Sequence, residues 1–465
     1  MLDTTPLIAD AGVNLLAARN QMGFTLGFHI VLACFGVAFP AMMLTAEFVG
    51  RRRGDADALR LARNWSKAVA VLFAVGAVSG TVLSFEFGLL WPRFMDRFGD
   101  AFGIAFAIEG IFFFLEAIFI AIYIYGWDRL SPRAHMLAAV PIVVSGIGGA
   151  FSVIAANAWM NQPQGFELDT SGQVTDVKPL EVLFNPATGY EFFHMWLAAY
   201  MVTGFLIASV YAVGLLRGRR DRYHRLGFLI PFTIAAIATP IQLFVGDTAA
   251  REVADDQPAK FAGFECVYES GDNQPEHIGG ICHDGKVSAD ISIPGLDSLL
   301  VGFSTGTDVT GLDQIPDDEE PPALTLLHLA FDTMVGVGTA LFLLAVWFGI
   351  SWWRRRDIPA TPWFLRASAV AGVAAVLALE SGWIVTEVGR QPWIVNGFMR
   401  TSDAVTPAKG IWFVFALTML LYIGLAVTAV VVLRGLSRRW RADRIAEGEV
   451  PYGPPPGPSP SEAPS

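Results

Sequence analysis

The chain alternates between long apolar segments and shorter polar ones over most of its length. Nine apolar runs are each about 20 residues long or more, which is enough to cross ~30 Å of hydrocarbon as helices. These runs predict an all-α fold, a polytopic transmembrane bundle of about nine helices. Their approximate positions are 13–49, 67–90, 103–125, 134–156, 187–215, 227–246, 323–350, 363–386 and 409–434.

The composition is that of a polytopic membrane protein rather than of a soluble enzyme. Of the 465 residues, 53% are hydrophobic and only 16% are charged. The first 20 residues lack a basic segment and contain Asp3 and Asp10, which argues against a cleavable signal peptide.

Arginine clusters follow the odd-numbered spans and are nearly missing from the alternate loops. Because Lys and Arg in short loops favour the cytoplasmic side, we expect the N-terminus outside and the C-terminus in the cytoplasm. The clusters contain Arg51, Arg52, Arg53, Arg60 and Arg63, then Arg129 and Arg133, Arg217, Arg219, Arg220, Arg222 and Arg225, Arg354, Arg355 and Arg356, and Arg438, Arg439, Arg441 and Arg444.

Residues 247–322, which we call the long loop, join the sixth and seventh spans and are strongly acidic. They contain 17 Asp and Glu against Arg251, Lys260 and Lys286, so they offer no basic surface for nucleic acid. The predicted orientation puts this loop outside. We expect an integral membrane bundle over 1–446 and, at 447–465, a Pro-rich cytoplasmic tail that is disordered because it cannot bury a core.

Two of the three cysteines, Cys266 and Cys282, lie in the long loop, whereas Cys34 lies inside the first span. An oxidising outer compartment allows the pair to form a disulfide, which would close a loop of about 15 residues and stabilise it by ~3 kcal/mol. Two free thiols, or a weak metal site with His277 and His283, are the alternatives, because sequence does not give the geometry of a disulfide.

Eight polar or thioether side chains are predicted at membrane depth. A charged group in hydrocarbon is costly, so it usually faces a partner, a cofactor or a proton path. Two imidazoles, a thioether and carboxylates suit porphyrin iron better than zinc, because Met is a soft, weak ligand. Ordinary helix–helix contacts are the simpler alternative. The eight are His29, Glu86, Glu109, Glu116, His194, Met334, Glu380 and Glu387.

Two pairs of carboxylates have helical spacing. Glu109 and Glu116 are seven residues apart, about two turns, and so are Glu380 and Glu387, with Trp383 one turn from Glu387. Carboxylates stacked on one helix face suit a proton relay. Neutral buried acids that bond to neighbouring helices are the alternative.

Several long motifs, in the same order along the chain, resemble subunit I of the cytochrome bd-type quinol oxidases. The resemblance covers nearly the whole membrane part. The motifs are Ala18-Arg-Asn-Gln-Met-Gly-Phe-Thr-Leu-Gly-Phe-His29, Ala107-Ile-Glu-Gly-Ile-Phe-Phe-Phe-Leu-Glu116, Gly126-Trp-Asp-Arg-Leu130, Ala156-Asn-Ala-Trp-Met160 with Asn185-Pro186 ahead of His194, and Gly382-Trp383 through Gly389-Arg-Gln-Pro-Trp393.

The resemblance implies a role for each matching residue. His194 and Met334 would be the axial ligands of a low-spin haem b, and His29 and Glu387 would each ligate one of two high-spin haems, a haem b and a haem d. Members of the family differ in which of these sites holds haem d, so neither is assigned. The remaining roles are Trp383 between haems, Arg390 near propionates, Glu109 and Glu116 in proton transfer, and Lys260 and Glu265, in Gln257-Pro-Ala-Lys-Phe-Ala-Gly-Phe-Glu265, in quinol binding and deprotonation.

The sequence departs from the family pattern in two places. Asp332 stands two residues before Met334, where some members carry an arginine, which puts the charge balance at the low-spin haem in doubt. The long loop is the short form, so quinol contacts of members with a long insertion need not transfer.

The resemblance implies a terminal respiratory oxidase in the plasma membrane of a bacterium. It would oxidise membrane quinol near the outer face and reduce O2 to water with protons from inside, making proton motive force without pumping. A second membrane subunit, with small single-helix accessory subunits, would be its partners. The alternatives are a haem b quinol dehydrogenase or electron-transfer subunit without oxygen chemistry, and a haem-free proton-coupled transporter.

Overall fold

The computed structural model describes residues 5–359 and 361–446, so the predicted disordered tail 447–465 lies outside the described residues. The described chain is mainly helical. In chain order its helices are α1 (Thr5–Arg53), α2 (Ala56–Leu90), α3 (Pro92–Gly126), α4 (Pro132–Asn161), α5 (Pro179–Leu183), α6 (Thr188–Leu216), α7 (Arg222–Asp256), α8 (Pro258–Glu265), α9 (Leu296–Gly302), α10 (Leu324–Arg355), α11 (Pro362–Gly389), α12 (Thr401–Ala404) and α13 (Ile411–Ala446).

Nine of these helices, within the described ranges, are long and apolar enough to cross a membrane, as predicted: α1–α4, α6, α7, α10, α11 and α13. Several extend well beyond the predicted spans. Helix α2 begins at Ala56 rather than 67, because the Asp55 side chain accepts the Ala58 N–H at 3.2 Å and caps it. Helix α3 begins at Pro92, a residue suited to the first helical position. The apolar runs mark only the part of each helix that would lie in hydrocarbon. The helices themselves continue beyond those runs into polar segments.

Four small antiparallel pairs of strands lie between the long helices, and the sequence analysis predicted none of them. Strands of two or three residues are too short to show an alternating pattern. In the long loop, the pair β3–β6 encloses the pair β4–β5. The strands are β1 (Glu167–Leu168) with β2 (Val174–Thr175), β3 (Glu276–Ile278) with β6 (Ile291–Ile293), β4 (Ile281–His283) with β5 (Lys286–Ser288), and β7 (Trp393–Val395) with β8 (Met399–Arg400).

Small residues bring α6 close to two neighbouring helices. A Cβ placed on Gly204 of α6 would lie 2.7 Å from the carbonyl oxygen of Pro231 in α7. A Cβ on Gly372 of α11 would lie 2.6 Å from the Cα of Leu206 in α6. Any side chain at either position would push the helices apart, which is why small residues mark such interfaces in membrane bundles.

A buried polar cluster joins α1, α3 and α4 at the end of α1 that carries Arg51. The fully buried Glu47 accepts hydrogen bonds from Tyr123 Oη at 2.6 Å, Arg51 Nε at 2.5 Å and His135 Nδ1 at 2.8 Å. His135 Nε2 also contacts the carbonyl oxygen of Tyr123 at 2.9 Å. Each buried polar group thus has a partner, which offsets the cost of removing it from water.

The long loop is tied to the bundle by covalent and polar contacts. Cys266 and Cys282 form a disulfide with their Cα atoms 6.2 Å apart, as predicted. The disulfide leaves neither sulfur as a thiolate, which argues against the alternative metal site, and His277 Nδ1 bonds to Asp290 Oδ2 at 2.6 Å. The ring nitrogens of buried His328, on α10, lie 2.7 Å and 3.0 Å from backbone carbonyl oxygens of Phe264 and Gly279.

We predict that non-reduced proteolytic digests of the purified protein contain the peptides of Cys266 and Cys282 as one linked species. Mass spectrometry before and after reduction measures this directly. Cys34, which is buried and free, serves as the internal control for alkylation after denaturation. Complete alkylation of both loop cysteines without reductant would contradict the disulfide.

Candidate functional site

A cavity of about 400 Å³ lies where α6, α7, α10 and α11 meet the long loop. Its volume is in the range of small-molecule and cofactor sites. It brings together five of the residues that the sequence singled out, namely His194, Lys260, Glu265, Met334 and Trp383. The other candidate residues do not line it: His29, Glu86, Glu109, Glu116, Glu380, Glu387 and Arg390.

His194 of α6 and Met334 of α10 border this cavity from different helices. The Nδ1 atom of His194 is buried and, among the described residues, has no hydrogen-bond partner. A Cβ on Gly246 would lie 3.2 Å from His194 Cε1, and one on Gly382 would lie 2.9 Å from Met334 Sδ. Because Gly246 and Gly382 have no side chains, His194 and Met334 can occupy the space beside them. An imidazole and a thioether at one cavity fit the axial ligands of a low-spin haem iron.

His29 of α1 is held in the tautomer that can bind a metal. Ser79 Oγ has one hydrogen, which it donates to the Gly76 carbonyl oxygen at 3.0 Å. It therefore accepts from His29 Nδ1, 2.9 Å away, which leaves Nε2 with its lone pair. Metal-ligating histidines are oriented by a hydrogen bond of this kind from the second ring nitrogen. The residues present thus fit a haem iron bound at Nε2.

Glu387, near the end of α11, is held by two donors. Its Oε1 accepts from Asn157 Nδ2 at 2.8 Å and its Oε2 from Arg390 Nη2 at 2.6 Å. Each carboxylate oxygen has a second lone pair, so Glu387 can still ligate a metal. Arg390 is buried, and its Nε and Nη1 atoms have no partner in the described part of the chain. These free N–H groups suit an anion such as a haem propionate.

A chain of polar side chains connects the long loop to Glu387. Lys260 Nζ donates to Asn161 Oδ1 at 3.1 Å, and Asn161 Nδ2 donates to Glu191 Oε1 at 2.8 Å. Asn161 Nδ2 also reaches Asn157 Oδ1 at 3.4 Å, and Asn157 is the residue that bonds Glu387. Lys260 also donates to Gln257 Oε1. We call this chain the Lys260–Glu387 network.

The sequence analysis missed two members of this network, Asn161 and Glu191. Glu191 lies in the first turn of α6, three residues before His194, and an acid at the start of an apolar helix was a signal that could have found it. Asn161 ends α4, one residue beyond the motif that ends at Met160. Asn161 can bridge Lys260 and Glu191 only because α4 packs against α6.

Glu109 and Glu116 are both on α3, away from the cavity. Glu116 is 8% exposed, and its Oε1 atom has no hydrogen-bond partner among the described residues. A Cβ on Gly36 of α1 would lie 3.7 Å from that oxygen, so Glu116 points between α3 and α1. A buried carboxyl oxygen without a partner is costly, and it is typical of a functional group in a membrane protein.

The environment shifts the acid–base behaviour of the two loop residues at the cavity. Burial lowers the pKa of Lys260 to about 8, and the charge of Glu191 partly opposes this. Burial, together with Glu276 and Asp297, raises the pKa of Glu265 well above its usual range. Asp332, the residue that departs from the family pattern, accepts the Gly279 N–H and lies 3.6 Å from His328 Nε2. It therefore helps to anchor the long loop.

Comparison with known proteins gives consistent matches over nearly the whole chain. The family described as cytochrome bd terminal oxidase subunit I matches residues 17–440. The structure of bd oxidase from Geobacillus thermodenitrificans matches with a TM-score of 0.85 and 34% identity, covering 92% of this chain and 98% of that chain.

Two proteins of Bacillus subtilis (strain 168) are similar in sequence. One, named provisionally as a cytochrome bd menaquinol oxidase subunit I, is 35% identical over 438 residues, 92% of this chain and 98% of its own. The other, a cytochrome bd ubiquinol oxidase subunit 1, is 30% identical over 408 residues, 84% of this chain and 86% of its own. Membership of the family implies haem cofactors, a quinol substrate and a subunit II partner. The chain therefore belongs to the cytochrome bd terminal oxidase subunit I family and is a multi-pass quinol oxidase subunit of the bacterial plasma membrane.

Proposed function

We propose that this subunit oxidises quinol beside the long loop and that O2 is reduced to water at a high-spin haem site near His29 and Glu387. The observation that carries the proposal is the shared cavity, which His194 and Met334 border together with Lys260 and Glu265. Groups suited to iron and groups suited to a quinol thus meet in one place. When bound, the haems carry electrons from quinol to O2.

The ligand assignments follow from the donor atoms. His194 and Met334 would hold a low-spin haem b, since both border the cavity and His194 Nδ1 is buried with no partner in the described part of the chain. His29 presents Nε2 and Glu387 a carboxylate oxygen to the two high-spin haems, a haem b and a haem d. Trp383 would contact the haems, and Arg390, whose Nε and Nη1 have no partner among the described residues, would bind their propionates.

Lys260 and Glu265 act on the quinol. Lys260, anchored by Asn161 and Gln257, donates a hydrogen bond to a quinol oxygen. Glu265 lies on the wall of the cavity, where its carboxylate, when deprotonated, accepts a quinol proton. The Lys260–Glu387 network then fixes the distance between the quinol and the haem ligand Glu387.

Glu109 and Glu116 carry protons to the oxygen site. With the N-terminus and the long loop outside, as the arginine pattern indicates, protons for water enter from the cytoplasm and quinol protons leave outside. This separation generates proton motive force without pumping. The energetic cost of moving a proton through bare hydrocarbon would be prohibitive. Buried Glu116, between α3 and α1, can accept and release a proton along the way. The second subunit completes the enzyme, with small single-helix accessory subunits.

Met334→Leu is expected to remove the low-spin haem spectrum while the high-spin bands remain, because leucine keeps the bulk but has no sulfur lone pair. The reduced-minus-oxidised spectrum measures this. Met195→Leu is the matched control, since Met195 lines the same cavity and has no assigned role. An unchanged low-spin spectrum in Met334→Leu would show that Met334 is not a ligand.

The KM for quinol is expected to rise about tenfold between about pH 7 and pH 9, because the ammonium of Lys260 is lost above its pKa of about 8. Lys260→Arg keeps the positive charge throughout, since the guanidinium pKa is above ~12, and should flatten the profile. Steady-state oxygen consumption at varied quinol concentration provides the measurement. The same rise in the Arg variant would exclude Lys260 as its cause.

Glu116→Gln keeps size and hydrogen bonding but cannot ionise. We expect a folded enzyme with near-normal haem reduction by quinol and oxygen consumption lowered severalfold or more. Glu116→Asp should recover part of the activity, because its shorter carboxylate still titrates. Charge movement across proteoliposome membranes and oxygen uptake are the measurements, and wild-type values of both in the Gln variant would make Glu116 purely structural.

A further inference from the structure

Three carboxylates from separate segments of the long loop meet beside the cavity. Glu265 ends α8, Glu276 begins β3, and Asp297 lies in the first turn of α9. One oxygen from each lies within 4.8 Å of the others. Their positions in the sequence are far apart, so the folded loop alone brings them together.

Two of these carboxylates are buried, and the third, that of Glu276, is half-buried. Glu265 is 5% exposed and Asp297 is 1% exposed. One oxygen of each of the three (Glu265 Oε2, Glu276 Oε2 and Asp297 Oδ2) is buried and has no hydrogen-bond partner in the described chain. Native proteins rarely leave buried carboxylate oxygens unsatisfied. The orphaned oxygens of Glu265 and Asp297 therefore indicate a ligand that the protein itself does not supply.

The charged groups around the three carboxylates increase the electrostatic cost of ionising them. Asp332 of α10 repels Glu265 and Glu276, whereas His328 attracts Glu276. In the part of the chain that the structure describes, no lysine or arginine forms an ion pair with the three carboxylates. Burial raises the pKa of Glu276 and of Asp297 to about 7, so added positive charge would favour the ionised form of all three.

We propose that Glu265, Glu276 and Asp297 bind one divalent cation of the calcium class. Calcium takes six to eight oxygen ligands at about 2.3–2.6 Å, so oxygens on opposite sides of the ion are about 5 Å apart. Magnesium, with ligands at about 2.0–2.1 Å, needs a tighter set. The three oxygens lie within 4.8 Å of one another, so one ion can bridge them, and a set of three carboxylates is typical of calcium rather than of magnesium, which keeps several waters. The three carboxylates offer up to six oxygens, and water supplies the rest.

The bound cation links α8, β3 and α9 into one unit and holds Glu265 in place. Its binding does not depend on the quinol role proposed for Glu265, so the two proposals can fail separately. Calcium binding concerns the long loop alone, whereas the quinol role concerns turnover and the pH dependence of KM.

The test uses the complete oxidase, purified in detergent, treated with EDTA and then desalted. Equilibrium dialysis with radioactive calcium should show one saturable site per subunit I, and magnesium should compete weakly. The double variant Glu276→Gln with Asp297→Asn should lose calcium affinity by tenfold or more. The matched control is Glu269→Gln with Asp308→Asn, which removes two exposed acids from the same loop and should bind calcium as the wild type does.

Limited proteolysis of the wild-type enzyme gives a second readout that needs no variant. Calcium should slow cleavage between 266 and 300 severalfold, and EDTA should reverse the protection. The haem spectrum shows whether each variant assembles. If the double variant does not assemble, proteolysis of the wild type decides the outcome. Absence of saturable calcium binding, unchanged binding in the assembled double variant, or cleavage that calcium does not affect would each overturn the proposal.

Discussion

The cost of placing polar groups inside an apolar bundle governs this structure. Where a buried polar side chain has partners, the contact joins helices, as Glu47 does with Tyr123 and His135. Where a buried polar atom has no partner among the described residues, as with His194 Nδ1 or Arg390 Nε, a cofactor or substrate is a candidate partner. Unpartnered buried groups are therefore candidates for ligand contacts, whereas a partnered residue such as Glu387 needs a separate argument for its function.

The long loop and the membrane helices form one functional unit. The disulfide and His328 fix α8 and β4 against α10, and Lys260 enters the polar network that ends at Glu387. A quinol bound at Lys260 would therefore contact a part of the loop that is held firmly against the helices. This coupling explains how a loop outside the hydrocarbon can set geometry at residues inside it.

Membership of the bd oxidase family decides between the functions that the residues alone left open. A haem-free transporter would use Glu109 and Glu116 but would give His194 and Met334 no purpose. The family's quinol oxidase activity accounts for both sets. Some members carry an arginine at the position of Asp332. Here the Asp332 carboxylate accepts a hydrogen bond from the Gly279 N–H of the long loop, which gives the departure a local explanation.

The sequence by itself determined the nine helices, because a span needs about 20 apolar residues and local composition records that directly. It also singled out His29, His194, Met334 and Glu387 as candidate ligands, because ionisable or soft side chains are conspicuous in hydrocarbon. It could not determine the short strands or the bridging role of Asn161, since these depend on which segments pack together. The meeting of Glu265, Glu276 and Asp297 was likewise decided only by the tertiary structure, because their proximity arises from loop closure between residues distant in sequence.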